Sequence, residues 1–533
     1  MLVLGYRGTL QPDTPFPPGE TPPQMAALLT PLLEQALAEL DIRLPATQRI
    51  FQGQPIPVDG LLATLRERLE EILTLPLAEH LAATNAGSVS ENPPLYREYP
   101  ALTPLLHQAI VDWATATVTF CRRLKRDSDR IAQSLALDSF PPIASITATT
   151  SDMHSGGHLV LRILFRNGSC IFYKPRPITG EWLWHALLQS ITTADPELPL
   201  PAARAMPGAC PDRYGWMESV LTHPSTPCRQ STPAYWHTAG AMLCLARIVG
   251  LTDLHMGNII ATTTGPAVTD AECLGTPIQS DSAIRKEKSH DSTFNSTLQS
   301  LLNTGLLPDK TPGALPDISG LFGSAASVSA LHLPQWTSNT KAKQFLCSTP
   351  AMLLDHGNSP GAPSPLTVLH HLVNGYRHAA EVLLHARSTI LAPESSWRQL
   401  LIYHHAPRVV LRDTLTYALL LSQSLAPIHL RSTQQRQFEI RDLLQQIKSP
   451  HLPASVLRAE HRSLLHLHIP RLVLLAGSRT LANASGAPIV HQFVTCPPAA
   501  EVIARINNLS QGEIETTHIP ALISALLSPP KHA

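Results

Sequence analysis

Apolar residues recur at three- and four-residue spacing in the N-terminal part of the chain, between Pro23 and about Leu137. The pattern is clearest in Met25–Leu40 and in Leu61–Ala83. This spacing is typical of amphipathic α-helices. The residues that precede it, 1–22, are rich in Pro and Gly, which predicts irregular structure. We therefore predict a helical N-terminal region over residues 1–140.

Around Ile143 the helical spacing gives way to short runs rich in β-branched and aromatic residues. Two such runs lie in His158–Pro177 and are joined by the sequence Arg-Asn-Gly-Ser, residues 166–169. An Asn-Gly pair between two such runs indicates a β-hairpin. The segment Asp212–Leu221 is interpreted as either a further strand or a connector. Residues 141–230 are therefore assigned to a β-containing region.

Helical spacing returns from Thr232 and dominates again after Thr367. Between these points, residues 276–365 are rich in Ser, Thr, Pro, Gly and Asn and show weak periodicity. A loop of this length inside a domain is usually functional or mobile. We predict that residues 231–533 form a mostly helical region with one long insertion, 276–365.

Composition narrows the class of protein. A length of 533 residues corresponds to about two to four units, or to one elaborate two-lobed enzyme. An apolar content of 44% and a charged content of 15% predict a large core and argue against wholesale disorder. Lys plus Arg and Asp plus Glu both number 40, so the net charge of zero argues against a nucleic-acid partner held by global charge.

The first residues and the cysteines indicate where the protein works. The chain starts without a basic stretch followed by a long apolar run, so we expect no secretory signal. No run reaches the ~18 uncharged apolar residues that a membrane helix needs. The eight cysteines include no CxxC pair, which argues against a disulfide framework and a Cys-rich zinc site. We expect a cytoplasmic protein without a membrane span.

Five polar residues fall close together within Leu251–Glu272: Asp253, His255, Asn258, Asp270 and Glu272. Phosphoryl transfer requires oxygen ligands for Mg²⁺ and a group that orients the attacking hydroxyl. Asp253, which follows a predicted helix, suits the orienting role. Asn258 and Asp270 offer the hard oxygen ligands that magnesium prefers. The segment between them is predicted to be a strand, a turn at Thr264-Gly265 and a second strand that delivers Asp270.

Lys174, at the end of the strand after the Asn-Gly hairpin, offers a cation for nucleotide phosphates. Taken alone, such a lysine is more often a solvated surface residue. Asp253 and Asn258, taken alone, can be cap or turn residues. The ordered set of lysine, Asp-x-His-x-x-Asn and Asp-x-Glu is more specific than any one part. No GxGxxG precedes the lysine, and Gly156-Gly157 can form either a phosphate-contacting turn or an ordinary turn.

Six motifs in chain order resemble the dehydratase domain of class II lanthipeptide synthetases, the LanM type. They read SDMHSGGH, FYKPRP, YGWMES, DLHMGN, DAE and RVVLRDT. The resemblance covers roughly residues 95–480. It implies an α+β fold with a bilobal kinase-like core, related to lipid kinases and wrapped by extensive additional helices. Residues 141–230 would form the N-lobe of that core and residues 231–533 its C-lobe.

The resemblance also implies an activity, its cofactors and its partners. ATP and Mg²⁺ would serve to phosphorylate Ser or Thr in a ribosomal precursor peptide, which consists of a leader and a core. Elimination of the phosphate would then give dehydroalanine or dehydrobutyrine in the core.

The residue roles follow from the same resemblance. Six residues match those that the family uses for phosphorylation of the peptide: Lys174, Asp253, His255, Asn258, Asp270 and Glu272. Asp152 and His154 match the family's Asp-x-His pair beside the nucleotide. Arg408 and Thr414 match the residues that the family uses for elimination. The leaving phosphate needs its charge neutralised, which suits Arg408 and Lys174. Asp152 and His154 are the candidates for the base that removes the α-proton.

Two of these assignments have structural alternatives. Arg408 can instead form an ion pair with an acid such as Asp413 or Glu439. Thr414 can be the N-cap of the helix that follows it, with or without a catalytic role.

The chain departs from the family pattern at three places. Gly257 stands where the family usually has an acidic residue. This glycine makes the DLHMGN motif also resemble that of aminoglycoside and choline kinases. His468-Ile469-Pro470 stands where the family has Asp-Ile-Pro. Full synthetases continue into a zinc-dependent cyclase, whereas no Cys and His set able to hold zinc follows Cys496 here. If this is the whole protein, we expect dehydration without cyclisation: either a separate cyclase is a partner that forms the thioether rings, or the product lacks rings.

Two other functions compete with the dehydratase. A kinase-like enzyme would phosphorylate a small molecule or a protein without elimination, and it would not need the RVVLRDT motif. A degenerate homologue would act as a peptide-binding scaffold, and it would have no reason to retain the residues proposed to bind phosphate and metal.

Overall fold

The computed structural model describes residues 23–84, 95–134, 139–149, 153–154, 156–220, 232–277, 290–308, 317–323, 332–339, 343–350, 364–447 and 452–527. Asp152, one of the predicted site residues, lies outside the described residues, as do several parts of the predicted insertion.

Helices and short strands alternate along the described chain. The helices are α1 (Pro23–Arg43), α2 (Asp59–Thr84), α3 (Leu95–Glu98), α4 (Leu102–Ser134), α5 (Thr179–Ala194), α6 (Pro233–Val249), α7 (His290–Leu302), α8 (Pro365–Ile390), α9 (Ser396–Tyr403), α10 (Thr414–Ser424), α11 (Pro427–Leu430), α12 (Thr433–Gln446), α13 (Ala454–Leu465), α14 (Pro498–Asn508), α15 (Gln511–Glu513) and α16 (Ile519–Leu527). The strands are β1 (Ile50–Phe51), β2 (Gln54–Pro55), β3 (Ile143–Ala148), β4 (Leu161–Phe165), β5 (Cys170–Lys174), β6 (Ala205–Pro207), β7 (Gly215–Glu218), β8 (Ile259–Ala261), β9 (Pro266–Val268), β10 (His332–Asn339), β11 (Lys343–Pro350), β12 (Arg408–Val409), β13 (Leu472–Leu474), β14 (Leu481–Asn483) and β15 (Pro488–Val490).

The chain divides into two compact units. Unit 1 comprises Met1–Pro175, Ser329–Met352 and Leu411–Arg471. Unit 2 comprises Arg176–Val328, Leu353–Val410 and Leu472–Ala533. The mixture of helices with small antiparallel sheets in both units agrees with the predicted α+β class.

Unit 1 contains the predicted helical N-terminal region. Helices α1, α2 and α4 pack against one another, and α4 buries one apolar face that includes Leu105 and Ile110. Trp113 on the same helix donates its indole N–H to the carbonyl of Leu61 in α2 at 2.8 Å. The helical spacing of the sequence therefore predicted these helices correctly.

The Asn-Gly hairpin of unit 1 is also confirmed. Strands β3, β4 and β5 form an antiparallel sheet, with Leu164 opposite Cys170 at the end of the hairpin. The turn closes through a bond from the Gly168 N–H to the Phe165 carbonyl at 3.0 Å, and Gly168 has φ +84°. A loop of this kind, with glycine in the left-handed region, is a common hairpin connection.

Unit 2 is built around helix α6, which is buried on nearly every side. A helix that is apolar all round belongs in a core. Helix α8 crosses it at very close range, because a Cβ on Gly240 would lie 2.0 Å from the carbonyl oxygen of Leu372. Helices α5, α14 and α16 contribute further side chains to this core.

The predicted insertion has more regular structure than its composition indicates. Where residues 276–365 are described, they include helix α7 and the antiparallel hairpin of β10 and β11. None of the helices in the described residues combines the length and the apolar character that crossing a lipid bilayer requires.

Candidate active site

The end of α6 positions Asp253. Thr232 caps the start of this helix, accepting a bond from the Tyr235 N–H at 3.3 Å, and Gly250 ends it in the left-handed conformation with φ +67°. Asp253 follows three residues later and has φ +65°, a conformation that is uncommon for residues with a side chain. Such strain persists only where the surrounding structure imposes it, and it is concentrated at functional sites.

The carboxyl of Asp253 is adapted to take up a proton. Its burial raises its pKa to about 6, from an ordinary value of 3.8. The guanidinium of Arg408 opposes this rise, whereas the carboxylates of Asp270 and Glu272 add to it. A pKa just below neutrality suits a general base, since the group is ionised at pH 7 and still basic.

The loop that carries Asp253 is held by residues of the predicted insertion. The Leu254 N–H donates to the Thr304 carbonyl at 2.8 Å, and the Met256 N–H donates to the Ile318 carbonyl at 2.8 Å. These backbone bonds fix the loop independently of the side chains that perform chemistry. The low periodicity of residues 276–365 gave no signal of this role.

Asn258 is oriented by its amide nitrogen, which donates to the carbonyl of Asp253 at 2.9 Å. The same nitrogen lies 3.2 Å from Nε2 of His255, whose Nδ1 lies 3.1 Å from the Gly257 N–H. A neutral imidazole has one acceptor nitrogen, so it accepts from only one of these donors at a time. Because the amide nitrogen faces the Asp253 carbonyl, the amide oxygen of Asn258 is directed to the opposite side of the amide group.

The predicted hairpin between Asn258 and Asp270 is confirmed. Ile259 in β8 pairs with Val268 in β9, so the residues just outside the hairpin leave it at the same end. The Thr269 N–H donates to the Asn258 carbonyl at 2.9 Å, which extends the pairing by one residue. The sequence therefore brings Asn258 and Asp270 to one end of a short hairpin.

This donor set fits magnesium. Mg²⁺ prefers oxygen ligands and usually binds through one or two carboxylates together with waters and substrate phosphates. Asp270 supplies a carboxylate with 24% of its side chain exposed, and Asn258 supplies an amide oxygen. Across the described residues, no three His, Cys, Asp or Glu side chains converge as a complete metal cage, which Mg²⁺ does not require.

Arg176 connects three carboxylates at the edge of this site. Its guanidinium contacts Glu181 at 2.6 Å, Asp270 at 2.6 Å and Glu272 at 3.1 Å. Burial alone would lower the pKa of Arg176, but the three carboxylates, led by Asp270, hold it well above its ordinary value. We call Arg176, Glu181, Asp270, Glu272 and Arg408 the arginine cluster.

Arg408 is the second cation of the arginine cluster. Its Nη1 donates to Glu272 at 2.8 Å, and its backbone N–H donates to the Glu272 carbonyl at 2.8 Å. The structural alternative, an ion pair with an acid, is confirmed in kind: the acid that the structure shows is Glu272, whereas Asp413 caps α10 and Glu439 lies 3.6 Å from His429. Arg408 therefore does form an ion pair, and its acid is a residue that we had assigned to phosphorylation.

The start of α5 fits closely against the segment that follows Asp270. A Cβ on Gly180 would lie 2.2 Å from the carbonyl oxygen of Ala271, so only glycine allows this approach. His405 secures the same contact, since Nε2 donates to the Leu274 carbonyl at 2.6 Å and Nδ1 lies 3.2 Å from the Thr179 hydroxyl. Burial lowers the pKa of His405 to about 4, so it is neutral in this role.

Three other predicted residues that the structure describes, Lys174, Thr414 and His154, belong to unit 1. Lys174 is the last residue of β5 and is only 4% exposed, so the alternative of a solvated surface lysine is wrong. Thr414 is the first residue of α10, but the N-cap is Asp413, which accepts a bond from the Thr416 N–H at 2.7 Å. The N-cap alternative for Thr414 is therefore wrong, because the carboxylate that precedes it performs that function.

His154 lies in a tight turn of unit 1. The Gly157 N–H donates to the His154 carbonyl at 3.1 Å, and a Cβ on Gly157 would lie 2.9 Å from Cβ of Asp112 in α4. Nδ1 of His154 lies 3.1 Å from the Ile469 carbonyl, an acceptor that requires this nitrogen to carry the proton. In neutral His154 the acceptor nitrogen is therefore Nε2. Gly157 thus packs closely against α4, whereas Gly156 lies near the ring of His158.

His468, at one of the departures from the family pattern, has an acidic partner. Its Nε2 lies 3.0 Å from Oδ2 of Asp112. The neighbouring Ile469 N–H donates to the Met153 carbonyl at 2.9 Å. These contacts link α4, the turn of His154 and the segment that follows α13.

Comparison with known proteins identifies the family. The family described as "Domain of unknown function (DUF4135)" matches residues 99–474, which is more than half of the chain. The chain belongs to the DUF4135 family. A relative from Lactococcus lactis subsp. lactis, "Lacticin 481/lactococcin biosynthesis protein LcnDR2", is 20% identical over 424 residues. The aligned region is 75% of this chain and 43% of the relative, so the chain spans less than half of that protein's length.

The two matches support the resemblance to LanM-type synthetases, since lacticin 481 is a class II lanthipeptide. The DUF4135 match includes every predicted site residue, from Asp152 to Thr414. It also includes Arg176 and Glu181, which we did not predict. Arg176 lies inside the FYKPRP motif, two residues after Lys174. The motif alone did not indicate that its acidic partner would be Asp270, which is 94 residues away along the chain.

Proposed function

We propose that this DUF4135 protein is a lanthipeptide dehydratase with a kinase-like core. It phosphorylates Ser or Thr of a ribosomal precursor peptide with ATP and Mg²⁺, and it then eliminates the phosphate. The observation that supports this most strongly is the linked set of Asp253, Asn258 and Asp270. One backbone bond joins Asn258 to Thr269, and one side-chain bond joins it to Asp253.

In the phosphorylation step, Asp253 accepts the proton of the substrate hydroxyl. The hydroxyl oxygen forms a bond to the γ-phosphorus, the bond from that phosphorus to the β-phosphate oxygen breaks, and ADP leaves. Asn258 and Asp270 would hold Mg²⁺, which neutralises charge on the phosphates when bound. Lys174 is proposed to contact the phosphates, and His255 to maintain the loop through its bonds to Gly257 or Asn258.

In the elimination step, a base removes the α-proton of the phosphorylated residue. A carbon–carbon double bond forms, the bond between Cβ and oxygen breaks, and inorganic phosphate leaves. His154 is the stronger described candidate for the base, because its contact with Ile469 leaves Nε2 as the acceptor nitrogen. Asp152, by the family resemblance, is the other candidate. Arg408 and Thr414 are proposed to stabilise the departing phosphate.

The partners are part of the same proposal. The printed name of the Lactococcus relative refers to biosynthesis of a peptide product, which supports a precursor peptide with a leader and a Ser/Thr-containing core as the substrate.

A phosphotransferase without elimination is the second candidate function. The observation in its favour is the ion pair of Arg408 with Glu272, because this contact gives Arg408 a structural role. Gly257 also favours this function, because it makes the DLHMGN motif resemble that of small-molecule kinases.

Intact mass spectrometry separates the two functions. The protein is incubated with ATP, Mg²⁺ and a Ser/Thr-rich peptide encoded beside its gene. The dehydratase predicts a loss of ~18 Da per modified residue, whereas phosphorylation alone predicts a gain of ~80 Da that persists. A peptide of unchanged mass would contradict the dehydratase and would leave only a phosphotransferase that acts on a small molecule or another protein.

A further inference from the structure

Arg176 is placed to control one ligand of the proposed magnesium site. Its Nη2 contacts Glu181 Oε1 and Asp270 Oδ2, both at 2.6 Å, and its Nη1 contacts Glu181 Oε2 at 3.2 Å and the Pro177 carbonyl at 3.0 Å. Its Nε lies 3.1 Å from Glu272 Oε2. All three nitrogens of the guanidinium are thus in contact with acceptors, and a lysine ammonium lacks the planar fork that such an arrangement requires.

Asp270 is held from both sides. Arg176 contacts its Oδ2, and its Oδ1 accepts the Glu272 N–H at 3.1 Å. The two contacts therefore fix the rotation of the carboxylate.

The exposure of the three acids shows which one faces outward. The side chain of Glu181 is 2% exposed and that of Glu272 is 7% exposed, whereas that of Asp270 is 24% exposed. The arginine cluster is thus closed at two of its acids and open at the one that would bind a metal. Three carboxylates and two guanidiniums also leave the cluster with a net negative charge, which favours a divalent cation.

Stability alone explains the arginine cluster poorly. Buried ion pairs are weak evidence for stability, since desolvation offsets much of their attraction. Ligands of a metal, in contrast, are commonly oriented by an outer group that binds the remaining ligand atoms. Glu181 is itself held by the close contact of Gly180 with Ala271, so it anchors Arg176 from a rigid position.

We propose that Arg176, anchored by Glu181, is a positioning residue that orients Asp270 for a divalent cation. This inference rests on the proposed function, because that proposal makes Asp270 a magnesium ligand. It adds two residues, Arg176 and Glu181, to which we had assigned no role.

The test measures Mn²⁺ binding to the full chain by electron paramagnetic resonance, with Mn²⁺ alone as the probe. Arg176→Lys keeps the charge but loses the planar fork, and we expect its Kd for Mn²⁺ to rise about 10- to 100-fold. Its phosphorylation of peptide should recover as Mg²⁺ is raised, since the defect lies in metal affinity. Glu181→Gln should raise the Kd in the same direction, and it decides the question if Arg176→Lys does not fold.

The matched control is Arg412→Lys. Arg412 is a buried arginine of unit 1 whose Nε donates to Glu460 at 3.0 Å. It stands inside the RVVLRDT motif, but it is not one of the residues proposed to hold the metal. We expect it to lower the melting temperature without changing the Kd for Mn²⁺. Wild-type Mn²⁺ affinity in both Arg176→Lys and Glu181→Gln would overturn the positioning role. Absence of Mn²⁺ binding by the wild-type chain, both alone and with ADP present, would instead overturn the metal site of the proposed function, because substrate phosphates supply part of the ligands of such a site.

Discussion

In unit 2, the candidate residues Asp270 and Glu272 form ion pairs with arginines, whereas in unit 1 the candidate residue His154 has other histidines near it. In unit 2, Arg176 and Arg408 hold three carboxylates. In unit 1, the turn of His154 includes His158, whose pKa is lowered by burial, and the nearby His468 lies 3.0 Å from Asp112. Arginine stays charged at every physiological pH, but histidine changes its charge near neutrality.

This difference matches the two steps of the proposed reaction. Holding a metal and a nucleotide requires charges that do not change during the reaction. Removing an α-proton requires a group that takes up a proton and releases it again. The comparison predicts that substitutions of Arg176 and of the acids it contacts affect phosphorylation or metal binding, and that the elimination step can be damaged separately.

The largest effect is expected from Asp253→Asn. The variant keeps the shape of the side chain but removes the base, so phosphorylation should fall by about 100- to 10,000-fold. Intact mass of the peptide is the measurement, and it should remain unmodified. A variant that still dehydrates the peptide at the wild-type rate would remove Asp253 from the mechanism.

Arg408→Lys sharpens the comparison, because Arg408 belongs to the arginine cluster but is assigned to elimination. If it stabilises the leaving phosphate, elimination should slow by about 100-fold or more, and phosphopeptide should accumulate. The measurement is the ratio of phosphorylated to dehydrated peptide over time. Equal slowing of both steps would show that Arg408 acts only through Glu272.

The pH dependence of phosphorylation should follow Asp253. With a pKa of about 6, the carboxyl must be ionised to accept a proton, so the rate should fall about tenfold between pH 7 and pH 5. The rate is measured under single-turnover conditions, which isolate the chemical step. A flat profile over this range would contradict the assignment of Asp253 as the base.

The melting temperature of Asp253→Asn, measured as a function of pH, tests whether the titrating group is the carboxyl of Asp253. Because the pKa is raised in the folded state, the buried ionised carboxyl destabilises the fold above about pH 6, and this cost disappears as the pH falls toward the ordinary value of 3.8. The variant should therefore exceed the wild type in melting temperature at pH 7.5, and the difference should shrink by pH 4.5.

The smallest effect is expected from Gly180→Ala. Alanine usually favours a helix over glycine, but here its Cβ would lie 2.2 Å from the Ala271 carbonyl oxygen. We expect a loss of about 1–3 kcal/mol in the free energy of unfolding, measured by urea denaturation. Gly512→Ala is the control, since Gly512 lies in α15 with open space around it. Equal behaviour of the two variants would show that the contact is not rigid.

The parts of the fold that the sequence predicted are those set by local pattern. Helical spacing identified α1, α2 and α4, and the pair Asn167-Gly168 identified the hairpin of β4 and β5. The hairpin between Asn258 and Asp270 was also predicted, from two short strand-like runs on either side of a turn at Thr264-Gly265. In each case neighbouring residues determine the structure.

The parts that were missed depend on contacts between distant residues. The pairing of Arg176 with Asp270 joins positions 94 residues apart, and no local period announces it. The backbone bonds of Thr304 and Ile318 to the loop of Asp253 lie in a segment of weak periodicity. Thr414 was mistaken for an N-cap candidate although Asp413, an equally good cap, stands directly before it.

The most direct test of the central claim follows one oxygen atom. The reaction is run with unlabelled ATP, Mg²⁺ and the neighbouring Ser/Thr-rich peptide in ¹⁸O-water, and the released phosphate is analysed by mass spectrometry. Elimination breaks the bond between Cβ and oxygen, so the phosphate keeps the peptide's own oxygen and contains no ¹⁸O. We predict unlabelled phosphate, released in equal number with peptide losses of ~18 Da. Phosphate that carries one ¹⁸O, with no loss of mass from the peptide, would mean that water attacks phosphorus and would contradict the dehydratase.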